Sequence, residues 1–394
     1  MRHRSQPFFL RLCPRIGSPC LRAVILSHRA ADPGQRTRYH ALASQGCQIW
    51  LALPHEWHPS HQPQPFRTQS SEDEKLQIVP VHVRGSLPGN VPARWNTRTI
   101  SRLLRDVRPD IVQIEEAPHT QVAAVTTALA RRLSLPTVVV VGEAVTRAGS
   151  IMQRRYARQT LRGASGLIAV NGVVAERFAE FATTQPLAII RDRAVRPPLQ
   201  SVEPAEDTFV IGFAGRLVPE RGLDILFQAC VGVHGAWHLH VMGSGPEQER
   251  LEDLAERLGI AARVSWVGGR PASEWHQVWP TLHCLAVPSR TTDSWYDAGG
   301  HHVLEAMAHG VPVVATRSGV LPDIVGDGGV TVPENDPSGL AEALRELQQH
   351  PDRRRSLAQA ARRRMLQEFT EDVLARRTVE FWHRASSVSH TASP

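Results

Sequence analysis

The sequence predicts an α/β protein with two doubly wound parallel sheets, one in each half of the chain. Short strands that are apolar throughout alternate with helical segments, which is typical of parallel strands covered on both faces. The alternation stops between residues 191 and 207, where proline and charged residues dominate, and then resumes. The length of 394 residues also exceeds what one ordinary hydrophobic core accommodates.

In the first half of the chain, helices and one irregular segment separate the predicted strands. Residues 35–44 and 95–107 are predicted to be helical. Residues 54–70 are rich in histidine and proline, and this pattern predicts a loop too irregular to pack as an element. The predicted strands read LRAVILSH, CQIWLAL, LQIVPVHV, DIVQIE, PTVVVV and GLIAV.

The second half restarts the alternation with further short apolar strands. They read FVIGFA, WHLHVMG, VSWVG, LHCLAVP, VPVVA and VTV. We therefore predict a first domain over residues 21–195, a linker over residues 196–207 and a second domain over residues 208–370.

The two ends of the chain are predicted to lie outside these domains. Residues 1–20 are basic and contain a short apolar patch, which Arg11 and Pro14 interrupt. That patch is too short for a signal sequence, so these residues are predicted to be a disordered extension or a misassigned start. Residues 386–394 are predicted to be a frayed tail.

Composition places the chain among soluble globular proteins, with 42% hydrophobic and 21% charged residues. The net charge of +7 comes from arginine, because Lys75 is the only lysine. Local runs such as Arg353–Arg355 and Arg362–Arg364 indicate solvated helix faces, with contact to an anionic membrane surface as the alternative. No sequence signature of a nucleic-acid-binding fold accompanies the positive charge, so no nucleic-acid partner is expected.

Cysteine use and hydropathy indicate a cytoplasmic protein. No apolar run approaches the ~20 residues that a membrane helix needs. The cysteines include no CxxC pair, so neither a disulfide framework nor a zinc site is expected from them, and a reducing compartment fits best. A peripheral position at the inner membrane face is the alternative. The five cysteines are Cys13, Cys20, Cys47, Cys230 and Cys284.

The richest motif lies between Val287 and Glu334. Asp297 is followed by Gly299, Gly300 and His301, and then by a helical run that carries Glu305. Small residues at a helix start let backbone N–H groups approach an anionic ligand. Two carboxylates that flank such a helix start can accept hydrogen bonds from hydroxyl groups on either side of a bound phosphate.

A second motif lies upstream, in FVIGFAGRLVPERGLDILFQA. A buried strand leads into a glycine turn at Gly215, with Arg216 in the turn and Arg221 near the start of the next helix. Open α/β sheets bind ligands beyond the carboxyl ends of their strands, which is where both arginines are expected. The planar guanidinium forms bidentate hydrogen bonds with phosphate and stays charged.

Together these motifs resemble the donor-site signature of family-four (group 1) glycosyltransferases of the GT-B fold class. The resemblance implies two Rossmann-like domains with a cleft between them, the first for the acceptor and the second for a nucleotide-sugar donor. It implies that the last helix, over residues 371–386, crosses back to the first domain. It also implies sugar transfer to an acceptor hydroxyl with retention of anomeric configuration.

By resemblance, individual roles fall on matching positions. Asp297 would contact the transferred sugar, Glu305 the ribose, and Arg216 and Arg221 the diphosphate. Asp297 stands where the family has Glu, and Gly299 stands where it has an aromatic residue. No Asp-x-Asp motif is present, so a metal-bound diphosphate is not expected, and the nucleotide sugar is a substrate rather than a cofactor.

The first domain offers fewer candidates. Gly34 follows the first strand, where the family often has a glycine loop facing the donor phosphates, although an ordinary turn explains it equally well. Glu115, Glu116 and His119 follow the strand DIVQIE, and we expect them to face the cleft. Glu143 follows the next strand. Gly34, His119 and Glu143 are therefore the acceptor-side candidates.

Three alternatives remain at this point. His301, Glu305 and His309 recur every four residues and could share a helix face that binds zinc. Zinc sites of this spacing usually add a protein ligand from elsewhere in the chain, and none is evident. The chain could be a GT-B nucleotide-sugar epimerase. It could also be a degenerate relative that binds a sugar nucleotide without catalysis, since Asp297 and Gly299 depart from the family pattern.

Overall fold

The computed structural model describes most of the chain, with gaps. The described residues are 21–59, 64–71, 75–87, 91–142, 150–179, 185–198, 204–205, 207–269, 272–293, 295–298 and 300–391. The predicted extension over residues 1–20 and the candidates Glu143 and Gly299 lie outside them.

The first half of the chain forms a sheet of seven parallel strands in the order β11-β10-β9-β8-β1-β2-β5. Two short antiparallel hairpins, β3–β4 and β6–β7, lie outside this sheet. The strands are β1 Arg22–Leu26, β2 Gln48–Pro54, β3 Glu56–Trp57, β4 Phe66–Arg67, β5 Leu76–Val81, β6 Val83–Leu87, β7 Val91–Trp95, β8 Ile111–Ile114, β9 Thr137–Val141, β10 Gly166–Ala169 and β11 Leu187–Ile189. The helices are α1 Thr37–Ser44, α2 Thr97–Val107, α3 Gln121–Arg132, α4 Ile151–Gly163 and α5 Gly172–Phe178.

The second half forms a sheet of six parallel strands in the order β14-β13-β12-β15-β16-β17. Its strands are β12 Phe209–Ala214, β13 Trp237–Met242, β14 Val264–Gly268, β15 Cys284–Val287, β16 Val313–Thr316 and β17 Gly329–Val332. The helices are α6 Leu223–Val231, α7 Gln248–Arg257, α8 His301–Ala308, α9 Leu321–Val325, α10 Pro337–Gln349, α11 Pro351–Glu368 and α12 Glu371–Thr391. The two doubly wound parallel sheets confirm the predicted fold class.

The central strands of each parallel sheet are largely apolar because both of their faces are covered. In β1, Ala23 and Ile25 belong to the core that includes residues of α1 and α12. Val24 and Leu26 alternate with them and belong to the core that includes residues of α2 and α3. The period of two along a strand thus divides the first half into two hydrophobic layers, one on each side of the sheet.

The segment over residues 54–70 differs from its prediction, because it contains the hairpin β3–β4. Trp57 and Phe66 pair across this hairpin, with ring centroids 6.1 Å apart. The ring of Trp57 also meets that of His28 edge to face at 5.2 Å. Two aromatic side chains therefore pack a segment whose histidine and proline content indicated an irregular loop.

Helix starts also differ from the predicted bounds. Residue 95 is the end of β7 rather than the start of a helix, and α2 begins after Asn96. The Asn96 side chain accepts hydrogen bonds from the backbone N–H groups of Arg98 and Thr99 at 3.1 and 3.3 Å. This is a helix N-cap, for which asparagine is among the preferred residues.

The last helix, α12, packs against the first half of the chain. Phe381 and Trp382 are fully buried in the core beside α1. The indole N–H of Trp382 donates to the Gln113 side-chain oxygen at 2.8 Å. The helix extends to Thr391, so the predicted frayed tail begins too early. No helix among the described residues is both long and apolar enough to span a bilayer.

The arginine runs of α11 are only partly solvated. Arg354 is buried and donates to the Leu347 carbonyl at 2.8 Å. Arg362 donates to the carbonyls of Ala308 and Pro198 at 2.6 and 2.8 Å. Several of these side chains therefore tie α11 to neighbouring segments, which corrects the interpretation of both runs as solvated faces.

We expect Trp382→Ala to lower the free energy of unfolding by about 3–5 kcal/mol, the usual cost of removing a large buried aromatic side chain. His383→Ala is the matched control, because His383 is the next residue of α12 and is exposed. Urea unfolding followed by circular dichroism measures both variants. A Trp382→Ala protein as stable as the His383→Ala protein would contradict the docking of α12.

Candidate functional site

The second sheet has its topological switch point between β12 and β15. These strands pair in parallel, and the chain proceeds from β12 towards β13 but from β15 towards β16 on the other side. In open α/β sheets the loops at such a point diverge and leave a ligand-binding crevice at the carboxyl edge. Gly215 and Arg216 follow β12, and Ser289 and Arg290 follow shortly after β15.

A short 3-10 turn over Pro219–Arg221 presents Arg221 at this edge. The turn ends at Gly222, whose φ of 66° favours glycine. A Cβ atom there would lie 2.0 Å from the Pro288 carbonyl oxygen, so the two loops touch through backbone. Arg290 fixes the turn from the other loop, donating to the Pro219 carbonyl at 2.7 Å.

Arg221 and Asp297 form an ion pair at the switch point. Arg221 Nη1 lies 2.6 Å from Asp297 Oδ2, which also accepts a hydrogen bond from Ser289 Oγ at 2.8 Å. Asp297 is only 1% exposed. The Arg221 guanidinium also lies over the ring of Trp295, 5.4 Å from its centroid. The structure therefore buries Asp297 beneath Arg221, with its carboxylate already hydrogen-bonded.

Gly215 and Arg216 occupy different environments. The backbone N–H of Gly215 donates to the Met242 carbonyl at 2.9 Å, so this N–H group already has an acceptor. A Cβ atom on Gly243 would lie 1.8 Å from the Gly215 carbonyl oxygen, so the backbones after β12 and β13 are in close contact. Arg216 is exposed, and its guanidinium has no partner among the described residues.

Helix α8 begins next to this pair. Gly300 is its N-cap, with a φ of 52°, and a Cβ atom there would lie 2.1 Å from Ile324 Cδ1. The backbone N–H groups that open a helix have no acceptor within it and carry partial positive charge. The start of α8, from His301 onwards, therefore offers donors to an anion.

Glu305 lies one turn into α8, beside two histidines. His301 Nε2 is 3.2 Å from Glu305 Oε1, and His302 Nδ1 is 4.0 Å from Glu305 Oε2. Burial acts to raise the pKa of Glu305, but His301 and His302 outweigh it and lower the pKa to about 2. Glu305 Oε2 and the Nδ1 atoms of both histidines are buried without a hydrogen-bond partner among the described residues.

The zinc alternative is not supported by this arrangement. His309 turns its ring towards the helix backbone, with Nδ1 2.8 Å from the Glu305 carbonyl oxygen. Within the described part of the chain, no group of three His, Cys, Asp or Glu side chains is placed to hold a metal ion.

The first sheet has its own switch point, between β1 and β8. The chain proceeds from β1 to β2 on one side and from β8 to β9 on the other. His28 follows β1 and Glu116 follows β8. Glu116 is fully buried, and both of its carboxylate oxygens lie 2.9 Å from His28 Nδ1. His28 Nε2 has no partner among the described residues and remains available to a ligand.

Glu115 points into a different network from its neighbour. It accepts hydrogen bonds from Arg38, from the Tyr39 hydroxyl at 2.6 Å and from Gln113 at 2.8 Å. The Glu115 carboxylate raises the pKa of Arg38 above its ordinary value, although burial acts in the opposite direction. Burial is the main cause that raises the pKa of Tyr39. Glu115 therefore anchors α1 through Arg38 and Tyr39.

Two other acceptor-side candidates, His119 and Gly34, lie among the described residues. His119 is half-buried, and burial lowers its pKa. The N–H of Gly34 donates to Asp32 Oδ1 at 2.9 Å within a 3-10 turn, which is the ordinary-turn alternative for this residue. Sequence reasoning did not select His28. It and Glu116 lie 88 residues apart, and only their positions after adjacent strands could have indicated the pair.

We expect Glu305 to stabilise the folded state in a pH-dependent way. Its pKa in the folded state, about 2, lies below the ordinary value of 4.5, so the stabilisation is present above about pH 4.5 and is lost as the pH falls towards 2. Relative to wild type, Glu305→Gln should therefore unfold more easily at pH 7, and this deficit should shrink at pH 3.

Urea unfolding of both proteins at pH 7, 5 and 3 measures this deficit. Glu256→Gln serves as the control, because Glu256 is an exposed residue of α7 and its removal should change stability little at any of these pH values. A Glu305→Gln deficit that stays constant between pH 7 and pH 3 would argue against the depressed pKa.

Comparison with solved structures shows the fold. Sucrose-phosphate synthase from Thermosynechococcus elongatus superimposes with a TM-score of 0.65 at 16% identity, covering 93% of this chain and 99% of that one. The Anabaena protein HepE, in complex with UDP, superimposes with a TM-score of 0.63 at 17% identity, covering 92% and 98%.

The chain spans about two fifths of the length of the curated relatives that it matches. A D-inositol 3-phosphate glycosyltransferase from Corynebacterium jeikeium is 38% identical over 166 residues, which is 39% of this chain and 38% of the relative. A GDP-mannose-dependent alpha-(1-6)-phosphatidylinositol monomannoside mannosyltransferase from Mycolicibacterium smegmatis is 35% identical over 163 residues, 40% of this chain and 43% of the relative.

Two family models match consecutive parts of the chain. The model for Glycosyltransferase Family 4 matches residues 38–191, and the model for Glycosyl transferases group 1 matches residues 198–364. Between them they cover every strand of both parallel sheets except β1. The chain belongs to the group 1, family 4 glycosyltransferases of the GT-B fold class.

Proposed function

We propose that this protein transfers a sugar from a nucleoside-diphosphate sugar to the hydroxyl group of an acceptor. The observation that carries the proposal is the placement of Arg216, Arg221 and the start of α8 around one switch point. This is where an open α/β sheet binds its ligand, and the two guanidinium groups and the N–H groups that open α8 can all donate hydrogen bonds to an anion. A diphosphate fits that chemistry.

The diphosphate of the donor is proposed to lie between the two arginines and the start of α8. Arg216 is exposed and has no partner among the described residues, so it can turn towards a ligand. The N–H groups that open α8, at Gly300 and His301, would donate to phosphate oxygens. Cleavage leaves negative charge on this diphosphate, and donors already in place stabilise it with little reorganisation.

Asp297 is proposed to position Arg221. Its family-derived role on the transferred sugar requires an exposed carboxylate, whereas Asp297 is 1% exposed and hydrogen-bonded to Arg221 and Ser289. A buried carboxylate held in this way fixes the position of its partner's guanidinium. Asp is one methylene shorter than Glu, which accords with a carboxylate that stays beneath the arginine.

Glu305 and His302 are proposed to bind the ribose of the nucleotide. Glu305 Oε2 and His302 Nδ1 lie 4.0 Å apart, beyond direct hydrogen-bond distance, and neither has another partner among the described residues. A hydroxyl group that both donates and accepts could bridge them. The two hydroxyls of a ribose match this unpaired acceptor and the ring nitrogens beside it.

The proposed reaction retains the anomeric configuration. The bond between the anomeric carbon and the diphosphate oxygen breaks, and its electron pair stays with the diphosphate. The acceptor oxygen then bonds to the anomeric carbon on the same face, and its proton passes to the departing phosphate oxygen. Arg216 and Arg221 supply the positive charge for this step, so the proposal includes no metal ion and no further cofactor.

The pair of His28 and Glu116 favours a second candidate, transfer with inversion. A buried carboxylate that accepts from the Nδ1–H group fixes the orientation and tautomer of the ring and leaves Nε2 as the acceptor, which is how a general base is commonly held. In that mechanism His28 would take the acceptor proton while the acceptor attacks from the opposite face. In the retaining mechanism His28 would only orient the acceptor hydroxyl.

Comparisons limit the proposal to a class of donor and acceptor. The relatives are named as transferases that act on inositol phosphate and on a phosphatidylinositol mannoside, and HepE binds UDP. We propose a pyrimidine or purine nucleoside-diphosphate sugar as donor and a hydroxylated small molecule, glycolipid or glycan as acceptor.

A cytoplasmic location accords with Cys230 and Cys284, which are buried thiols rather than disulfides.

We expect Arg221→Ala and Glu305→Ala to remain folded and to lose transfer. A thermal-shift screen of nucleotide sugars first identifies the donor, because a ligand that binds only the native state raises the melting temperature. Arg221→Ala removes one preorganised hydrogen-bond donor to the leaving diphosphate, which should lower kcat about 100- to 1,000-fold. Glu305→Ala should mainly weaken donor binding.

Arg257→Ala is the control for both variants, because Arg257 is exposed on α7. Release of nucleoside diphosphate is measured by chromatography, with and without acceptor. Wild-type turnover in Arg221→Ala and Glu305→Ala would remove this assignment of the donor site. A product that is an isomeric nucleotide sugar would favour an epimerase, and donor binding without any reaction would favour a non-catalytic protein.

We expect a product with the donor's anomeric configuration, and NMR coupling constants of that product measure it. With retention, His28→Ala should raise KM for the acceptor about tenfold, the effect of about 1.4 kcal/mol of lost orientation, and leave the donor-induced thermal shift unchanged. An inverted product, together with a kcat loss of about 100- to 10,000-fold in His28→Ala, would instead establish His28 as the general base.

A further inference from the structure

The helices that cover one face of the first sheet carry a concentrated positive charge. Helix α2 has three arginines, α3 has two and α4 has four, whereas Asp106 is the only acidic residue within these three helices. All three helices lie on the same side of the sheet, opposite α1 and α12. We call the exposed arginines of α2, α3 and α4, with Ile151 and Met152, the basic face.

The arginines of α2 point away from the core. Arg98, Arg102 and Arg105 follow one another at helical spacing, and all three are exposed. The buried residues of the same helix are Ile100, Leu104 and Val107. Among the described residues, no carboxylate forms an ion pair with any arginine of α2, α3 or α4. The charge on this side of the molecule is therefore not neutralised within the chain.

Helix α4 adds apolar side chains to this charge. Ile151 is 82% exposed and Met152 is 53% exposed, and both lie in the first turn. A capping box between Ser150 and Gln153 keeps this end helical. Arg154, Arg155 and Arg158 follow and are exposed. Two large apolar side chains beside three cations match an interfacial helix, which inserts apolar groups while its charges contact headgroups.

The exposed end of α4 lies at the carboxyl edge of the first sheet. Helices that join neighbouring parallel strands run antiparallel to them, and α4 joins β9 to β10. Ile151 and Met152 therefore emerge at the same edge as His28. A flat surface bound there would lie beside the acceptor-side switch point.

We propose that the basic face docks on the surface of an anionic lipid bilayer. Unpaired arginines supply the attraction to anionic headgroups, and Ile151 and Met152 supply the apolar contact. A nucleic acid would satisfy the arginines through its phosphates but would leave both apolar side chains in water. The docking needs neither donor nor acceptor, so it stands or fails independently of the proposed transfer.

Co-sedimentation of the full chain with vesicles tests this proposal. We expect binding to vesicles of phosphatidylcholine with phosphatidylglycerol, and at least tenfold weaker binding to phosphatidylcholine alone. Binding should weaken in 1 M salt, where the Debye length falls to about 3 Å. Equal binding to both vesicle types, or no binding to either, would overturn the proposal.

Charge-reversal variants locate the contact. Replacing Arg154, Arg155 and Arg158 with Glu should lower the partition coefficient about 100-fold or more, since three charges contribute about 1 kcal/mol each and about 1.4 kcal/mol is tenfold. The matched control replaces Arg257, Arg363 and Arg376 with Glu, the same charge change on exposed residues of α7, α11 and α12. Equal losses in both triple variants would overturn the assignment to this face.

The apolar part is tested by Ile151→Ser with Met152→Ser, which leaves the charge unchanged. We expect about a tenfold loss of vesicle binding, because partition of an interfacial helix scales with its buried apolar area. Thermal unfolding checks that these exposed positions leave stability unaltered. Unchanged vesicle binding in this variant, or tighter binding of the wild-type chain to duplex DNA than to anionic vesicles, would contradict a bilayer as the partner.

Discussion

The Arg221 guanidinium is held by a carboxylate that lies 76 residues later in the chain. Asp297 is buried, and a buried charge is costly to the folded state unless it is paired and hydrogen-bonded. Arg221 and Ser289 supply that pairing, and Ser289 itself comes from the loop after β15. One ion pair therefore joins the loop after β12, the loop after β15 and the segment that leads into α8. The whole donor-side arrangement depends on it.

Both sheets have a switch point at their carboxyl edge, but the side chains at the two switch points differ in chemistry. In each sheet the first strand lies beside a strand that continues in the opposite direction, and side chains after both strands meet at the carboxyl edge. The second half places arginines and a helix start there, which suits an anion. The first half places His28 on a buried Glu116, which suits a hydroxyl group. A sugar donor and its acceptor need these two complementary surfaces.

Local patterns in the sequence predicted the fold well, because buried parallel strands are apolar throughout and few arrangements accommodate their alternation with helices. Predictions failed where distant residues decide the outcome. Trp57 orders a histidine-rich segment by packing on Phe66 and His28. Arg221 and Asp297 were both selected as site residues, but their contact with each other was not foreseen. The pairing of His28 with Glu116 spans 88 residues and leaves no local signal.

The docking of α12 beside α1 also bears on how the chain acquires its structure during synthesis. The core layer around α1 includes Phe381, Trp382 and Ala385 from the last helix. The second half of the chain, by contrast, holds nearly all of its own core residues in one continuous stretch. A ribosome therefore releases the amino-terminal half with one hydrophobic layer still uncovered, and that layer closes only after α12 has emerged. During this interval the nascent protein exposes an aggregation-prone surface that a chaperone can shield.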